Sequence, residues 1–100
     1  MMAKHYSVEF LRKLRNEIHI NALIVDLLKL EVQNGHNMIR FRCPLCHGFH
    51  TATNQKTNLG RCFDCETNFN PIDLVMAVTM CSFVETVEFL KKYAGNGKTN

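Results

Sequence analysis

Residues 43–65 read CPLCHGFHTATNQKTNLGRCFDC, and their spacing decides what this chain can fold into. Cys43 and Cys46 stand two residues apart, as do Cys62 and Cys65, and fifteen residues separate the pairs. Each C-x2-C turn can aim two sulfurs at one point. A hairpin of the intervening length folds the second turn back opposite the first, completing a tetrahedron with Zn–S near ~2.3 Å. With all four positions filled by thiolates, no coordination site is left for water, so the zinc is structural rather than catalytic. Iron in the same four-sulfur site, a pair of redox C-x2-C motifs, and His47 replacing Cys46 as ligand are the alternatives.

The pattern outside this stretch fits a small α+β domain. Ser7 is a helix N-cap, with Phe10, Leu11, Leu14 and Ile18 on one side of the helix. Asn21 is read as the cap of a second helix, Ala22 to Leu30, ended by Asn34-Gly35. From Met38 the period changes to two: Ile39 and Phe41 face one way, Arg40 and Arg42 the other. Thr51–Gln55 and Leu59–Phe63 read as two strands joined by a polar turn. Asn70-Pro71-Ile72-Asp73 starts a third helix, running to about Met80. Ser82-x-x-Glu85 is a capping box for a fourth, with Phe83, Val87, Leu90 and Ala94 on one face, Glu88 four before Lys92, and Gly95 as its stop. The expected architecture is therefore a small antiparallel zinc-ribbon sheet flanked by N-terminal and C-terminal helices. Phe41, Phe83 and Phe89 read as core, Phe63 as packed under the knuckle, and Cys81 as a small buried side chain.

One hundred residues make a single domain at most, and so short a chain profits from a metal staple. The domain is expected over residues 1–94, with 95–100 as a flexible polar tail. No internal repeat, secretion signal or membrane-length apolar run is present, which predicts a cytoplasmic protein with no membrane partner. The cysteines are then thiols rather than a disulfide framework. The formal charge is +3, and no acidic residue occurs between Glu31 and Asp64, where Arg40, Arg42, Lys56 and Arg61 fall. Four thiolates around one Zn2+ carry −2, lowering the formal +3 to about +1. The basic hairpin thus has two readings, neutralising the cluster or forming a binding surface.

Together these residues resemble the zinc-binding domain of DnaG-type bacterial and phage primases, over roughly residues 8 to 94. The matching pieces are Ile24-Val25-Asp26-Leu27-Leu28, Cys43-Pro44-Leu45-Cys46, Cys62-Phe63-Asp64-Cys65, Ile72-Asp73-Leu74-Val75-Met76, and the helix with Phe83, Glu85, Thr86, Val87 and Leu90. Cys46 stands where bacterial members usually have histidine. His50-Thr51-Ala52-Thr53 replaces a K-T-P-S-F segment, and Glu66 and Phe69 replace glycines usual after the last cysteine. The resemblance implies one structural zinc and a module that grips single-stranded DNA, serving a separate primase or helicase in trans during replication. Arg40, Arg42, Lys56 and Arg61 would meet phosphates, and Phe49, or Phe63 where it does not pack under the knuckle, would stack on a base. The alternative is a zinc-stabilised adaptor that docks on a protein through an exposed Phe49 or Phe69 and touches no nucleic acid. Replacing Arg40 and Arg42 together with alanine would separate the two. No nucleophile-and-base pair, phosphate loop or carboxylate cluster is present, so no enzyme is expected from these residues alone. Met1-Met2 fits a natural N-terminus, and the polar tail fits either a natural end or a linker within a complete primase.

Overall fold

The computed structural model describes residues 6–34 and 38–97. Helix α1 (Val8–Glu17) begins at Ser7, whose hydroxyl accepts from the Phe10 N–H at 3.0 Å. It ends as Ile18 turns extended and buries its side chain with Leu14. Helix α2 (Ile20–Ala22) runs directly into a wider π-helical turn (Leu23–Leu27), where the Leu28 N–H reaches back five residues to the Leu23 carbonyl. Asn21 is therefore not the cap expected from sequence: the cap falls two residues earlier, at His19, whose side chain makes no capping bond. The first N–H, that of Ile20, is satisfied from outside by Asn58. Nor does Asn34-Gly35 end this segment. Lys29 does, at φ 52°, with the Leu30 N–H closing onto the Ile24 carbonyl.

Five antiparallel strands then form one sheet in chain order: β1 (Val32–Asn34), β2 (Ile39–Phe41), β3 (Thr51–Asn54), β4 (Leu59–Cys62) and β5 (Thr67–Phe69). The middle three were legible as alternating segments; the short outer two were not. Two rows of residues follow from the register. Phe41, Thr51 and Cys62 pair across and point inward, each fully buried, with the Thr51 hydroxyl donating to the Phe41 carbonyl. Arg40, Ala52, Arg61 and Asn68 pair across and point outward. Gly60 permits the inner packing, because a Cβ there would stand 2.9 Å from the Phe41 ring.

Helix α3 (Pro71–Thr79) begins at a full capping box. Asn70 accepts from the Asp73 N–H at 2.8 Å, and the Asp73 carboxylate accepts from the Asn70 N–H at 3.5 Å. Met80 closes it in the left-handed conformation, φ 63°. Helix α4 (Phe83–Gly97) begins at the Ser82–Glu85 box, with reciprocal bonds of 2.9 and 3.1 Å. It continues through Gly95, since no described glycine takes a positive φ. Residues 98–100 of the polar tail lie outside the described residues. The core joins the inner face of the sheet, through Phe41, Cys43, Cys62 and Phe69, to Leu14, Ile18, Leu23 and Ile24 from the first helices and Ile72, Leu74, Val75, Val87 and Leu90 from the last two.

Three apolar expectations fail at α4 and the corner before it. Phe83 and Phe89 are 39% and 43% exposed, because α4 turns Thr86, Val87 and Leu90 inward and leaves both rings at the margins of that face. Phe83 still meets Tyr6 edge-on, with centroids 6.1 Å apart. Cys81 is exposed, at the corner just past the left-handed Met80.

Candidate metal centre and nucleic-acid interface

The two C-x2-C turns sit at the same end of the sheet, one after β2 and one after β4. Each is built alike. In the first, the Leu45 and Cys46 N–H groups point at the Cys43 sulfur, at 3.3 and 3.5 Å; in the second, the Cys65 N–H points at the Cys62 sulfur, at 3.3 Å. The residue after each second cysteine is left-handed, His47 at φ 66° and Glu66 at φ 53°. That turn suits glycine, which pays no Cβ penalty there. Such N–H donors stabilise thiolate charge.

All four sulfurs lie within 4.8 Å of one another. Cys43 and Cys65 are 3.9 Å apart, and Cys46 and Cys62 are 3.7 Å apart. Thiolates ~2.3 Å from one tetrahedral zinc stand ~3.8 Å apart, the spacing that these two pairs show. The cysteines are free thiols, and these separations are far above a disulfide's ~2.05 Å. His47 is exposed and outside the cluster. The electrostatics also call for a cation. Burial pushes the Cys43 thiol up. The sulfurs of Cys46 and then Cys62 push Cys65 up to about 12. Burial opposes ionisation of Cys62 as well, but the Cys65 N–H and the neighbouring thiols bring it below its ordinary value. Four thiols packed this closely cannot all ionise unaided; a divalent ion at their centre removes the conflict.

The residues expected at a nucleic-acid surface divide into three places. Arg40 and Arg61 come together on the outward row, flanking Ala52, about 9.6 Å apart at ~4.8 Å per strand. Arg61 bonds Asn68 at 3.3 Å and lies over the Phe63 ring, 5.7 Å from its centroid. Lys56 is exposed in the turn at the opposite end of the hairpin from the cysteines. Arg42 is already engaged: it holds Glu31 through two nitrogens at 2.9 and 3.2 Å, donates to the His47 carbonyl at 2.7 Å, and covers Phe49 at 4.7 Å. Arg42 and Phe49 thus brace the first cysteine turn.

Phe63, like Phe83 and Phe89, lies outside the place favoured from sequence. It is 61% exposed rather than packed under the turn. The signal was available: Cys62 must face the metal, so Arg61 and Phe63 on either side face out. Phe63, Met38, Arg40, His50, Thr51 and Ala52 line a cleft of about 350 Å³. At its edge His50 Nδ1 lies 2.6 Å from Asp64 Oδ2. Phe69, by contrast, is 3% exposed, which removes it as a docking anchor.

A helix-flanked, five-stranded ribbon ending in a four-thiol cluster defines a zinc-ribbon domain. The CHC2 zinc finger family, the zinc ribbon of DnaG, matches residues 6–98, and the chain belongs to that family. It carries one structural zinc, which the four cysteines are positioned to hold. Its fold is similar to that in the crystal structure of the Aquifex aeolicus primase, zinc-binding and RNA polymerase domains, with TM-score 0.71 and 23% identity. That match covers 84% of this chain and 21% of the Aquifex chain, so this chain spans about a fifth of that protein's length. No curated protein matches. No described helix is long and apolar enough to cross a membrane.

Proposed function

We propose that this chain is a template-gripping module: Cys43, Cys46, Cys62 and Cys65 ligate the zinc, and the outward face of the sheet binds single-stranded DNA for a primase polymerase domain or helicase on a separate chain. The observation that carries the reading is the register pairing Arg40–Ala52–Arg61 beside the exposed Phe63. A small residue between two cations leaves room for a base to lie against the sheet, with phosphates to either side. Stacking on Phe63 contributes about 1–3 kcal/mol per base, which is roughly 5- to 150-fold in affinity. Two arginine–phosphate contacts give a log–log salt slope of about −1.4 on single strands, or about −2 if Lys56 joins them. Binding is therefore weak and salt-sensitive. The module has no catalytic role of its own in this reading.

Fluorescence anisotropy of a labelled oligonucleotide with zinc-loaded protein at two salt concentrations tests this. Zinc-dependent preference for single over double strands, abolished by Arg40→Ala with Arg61→Ala and weakened by Phe63→Ala, is the expected result. Arg42→Ala is a poor probe, because it also unbraces the first cysteine turn. No binding at low salt would overturn the reading and leave a zinc-stabilised domain that docks on protein.

A further inference from the structure

The four sulfurs of the cluster are not equivalent. Cys43 and Cys62 are fully buried, and each receives backbone N–H bonds. Cys65 is half-buried; Cys46 is exposed. Among the described residues no backbone N–H points at the Cys46 sulfur, which contacts other cluster sulfurs. N–H···S bonds withdraw electron density from a thiolate, and burial keeps a soluble oxidant away. Cys65 shares the lack of an N–H donor, and exposure separates it from Cys46, so the two protections together are weakest at Cys46. The Cys62 sulfur, on the opposite turn, lies 3.7 Å from it.

We propose that Cys46 is the entry point for peroxide into this cluster and Cys62 the thiol that resolves it, making the domain a redox-releasable zinc site. The proposal rests on the four thiolates being the zinc ligands. In the first step the Cys46 thiolate attacks one oxygen of hydrogen peroxide. The O–O bond breaks, the sulfur becomes a sulfenic acid, and hydroxide leaves. In the second, the Cys62 thiolate attacks the Cys46 sulfur, forming the S–S bond and expelling a second hydroxide. Two thiolates have lost two electrons and one peroxide has gained them. The sulfurs close by about 1.7 Å to reach a disulfide's ~2.05 Å. Cys43 and Cys65 remain as only two ligands and cannot keep the ion. Excess thiol with added zinc reverses the change.

The test uses zinc-loaded full chain carrying Cys81→Ser, which removes the other exposed thiol. Peroxide is added, zinc release is followed with a chromogenic chelator, and dimedone adducts and disulfides are mapped by peptide mass spectrometry. The first dimedone adduct is expected on Cys46, and a Cys46–Cys62 disulfide should accumulate in step with the loss of one zinc. Cys46→His, which offers a ring nitrogen in place of the exposed sulfur, should release zinc at least several-fold more slowly. A first adduct on Cys43, Cys62 or Cys65, or equally fast release from Cys46→His, overturns the proposal. One bound zinc that peroxide does not release overturns it while leaving the ligand assignment standing. A chain that binds no zinc at the outset overturns both.

Discussion

Asn58 is one side chain that ties the ribbon to the helices, and replacing it should cost far more than a turn residue ordinarily does. It sits at the end of the β3–β4 turn at φ 57°, a conformation asparagine tolerates. Its Oδ1 accepts from the Ile20 N–H at 2.8 Å, and its Nδ2 donates to the carbonyls of Arg15 and Ile18, each at 2.7 Å. One amide therefore closes α1 and opens α2. Three such bonds contribute about 1 kcal/mol each, and alanine at this φ adds about 1–2 kcal/mol of strain. Asn58→Ala should thus lose about 4–5 kcal/mol, a large share of a domain's typical ~5–15 kcal/mol. Asn58→Gly keeps the backbone comfortable and should lose about 1 kcal/mol less. Asn58→Asp keeps the acceptor for Ile20 but turns an oxygen toward two carbonyls, so it should not rescue. Urea unfolding followed by far-ultraviolet circular dichroism, at fixed free zinc, measures the series. A loss below about 1 kcal/mol for alanine, or glycine costing more than alanine, would mean that Asn58 does not tie the ribbon to the helices.

Chelating the zinc should collapse the sheet rather than trim it, since a structural zinc contributes roughly 10–16 kcal/mol of apparent binding free energy; loss of strand signal in parallel with zinc release checks this. Gly60→Ala forces the buried Phe41 ring to move and should cost about 1–3 kcal/mol by urea unfolding. Ser82→Ala removes the α4 cap, worth about 1 kcal/mol. Its partner Glu85 is held below the usual carboxylate range by the Ser82 N–H and hydroxyl, so the contribution of this box is present above the unfolded carboxylate range and fades as pH falls through the lower folded value. Tyr6 is pushed up to about 12, chiefly by its 2.6 Å hydrogen bond to Glu88. Its contribution is complete below pH ~10 and is lost as pH rises toward the folded value. Tyr6→Phe should remove the late-titrating component of phenolate absorbance.

The sequence made some features readable because one strong constraint governed each. Cysteine spacing announced the metal centre, and Asn70-Pro71 and Ser82-x-x-Glu85 announced two helix starts that both close as full capping boxes. What stayed hidden depends on contacts distant in sequence. The Ile20 start of α2 is set by Asn58, 38 residues away. The strands β1 and β5 are three residues each, and follow left-handed turns at Lys29 and Glu66 that no glycine marks. Arg42 and Phe49 read as a cation and a stacking ring, as they would on any exposed hairpin; only folding shows that they spend themselves on Glu31, the His47 carbonyl and each other. Strand parity would have placed Phe63 correctly, had the inward demand on Cys62 been carried one residue further.

In the proposed function, template DNA lies on the outward row of the ribbon. Amide and side-chain chemical shifts of isotope-labelled, zinc-loaded protein, titrated with a short single strand at low salt, test it most directly. Shifts concentrated at Met38, Arg40, Ala52, Arg61 and Phe63, with Val87 and Leu90 unmoved, are the predicted result. A saturable titration whose shifts fall on the helices and spare that row would contradict it.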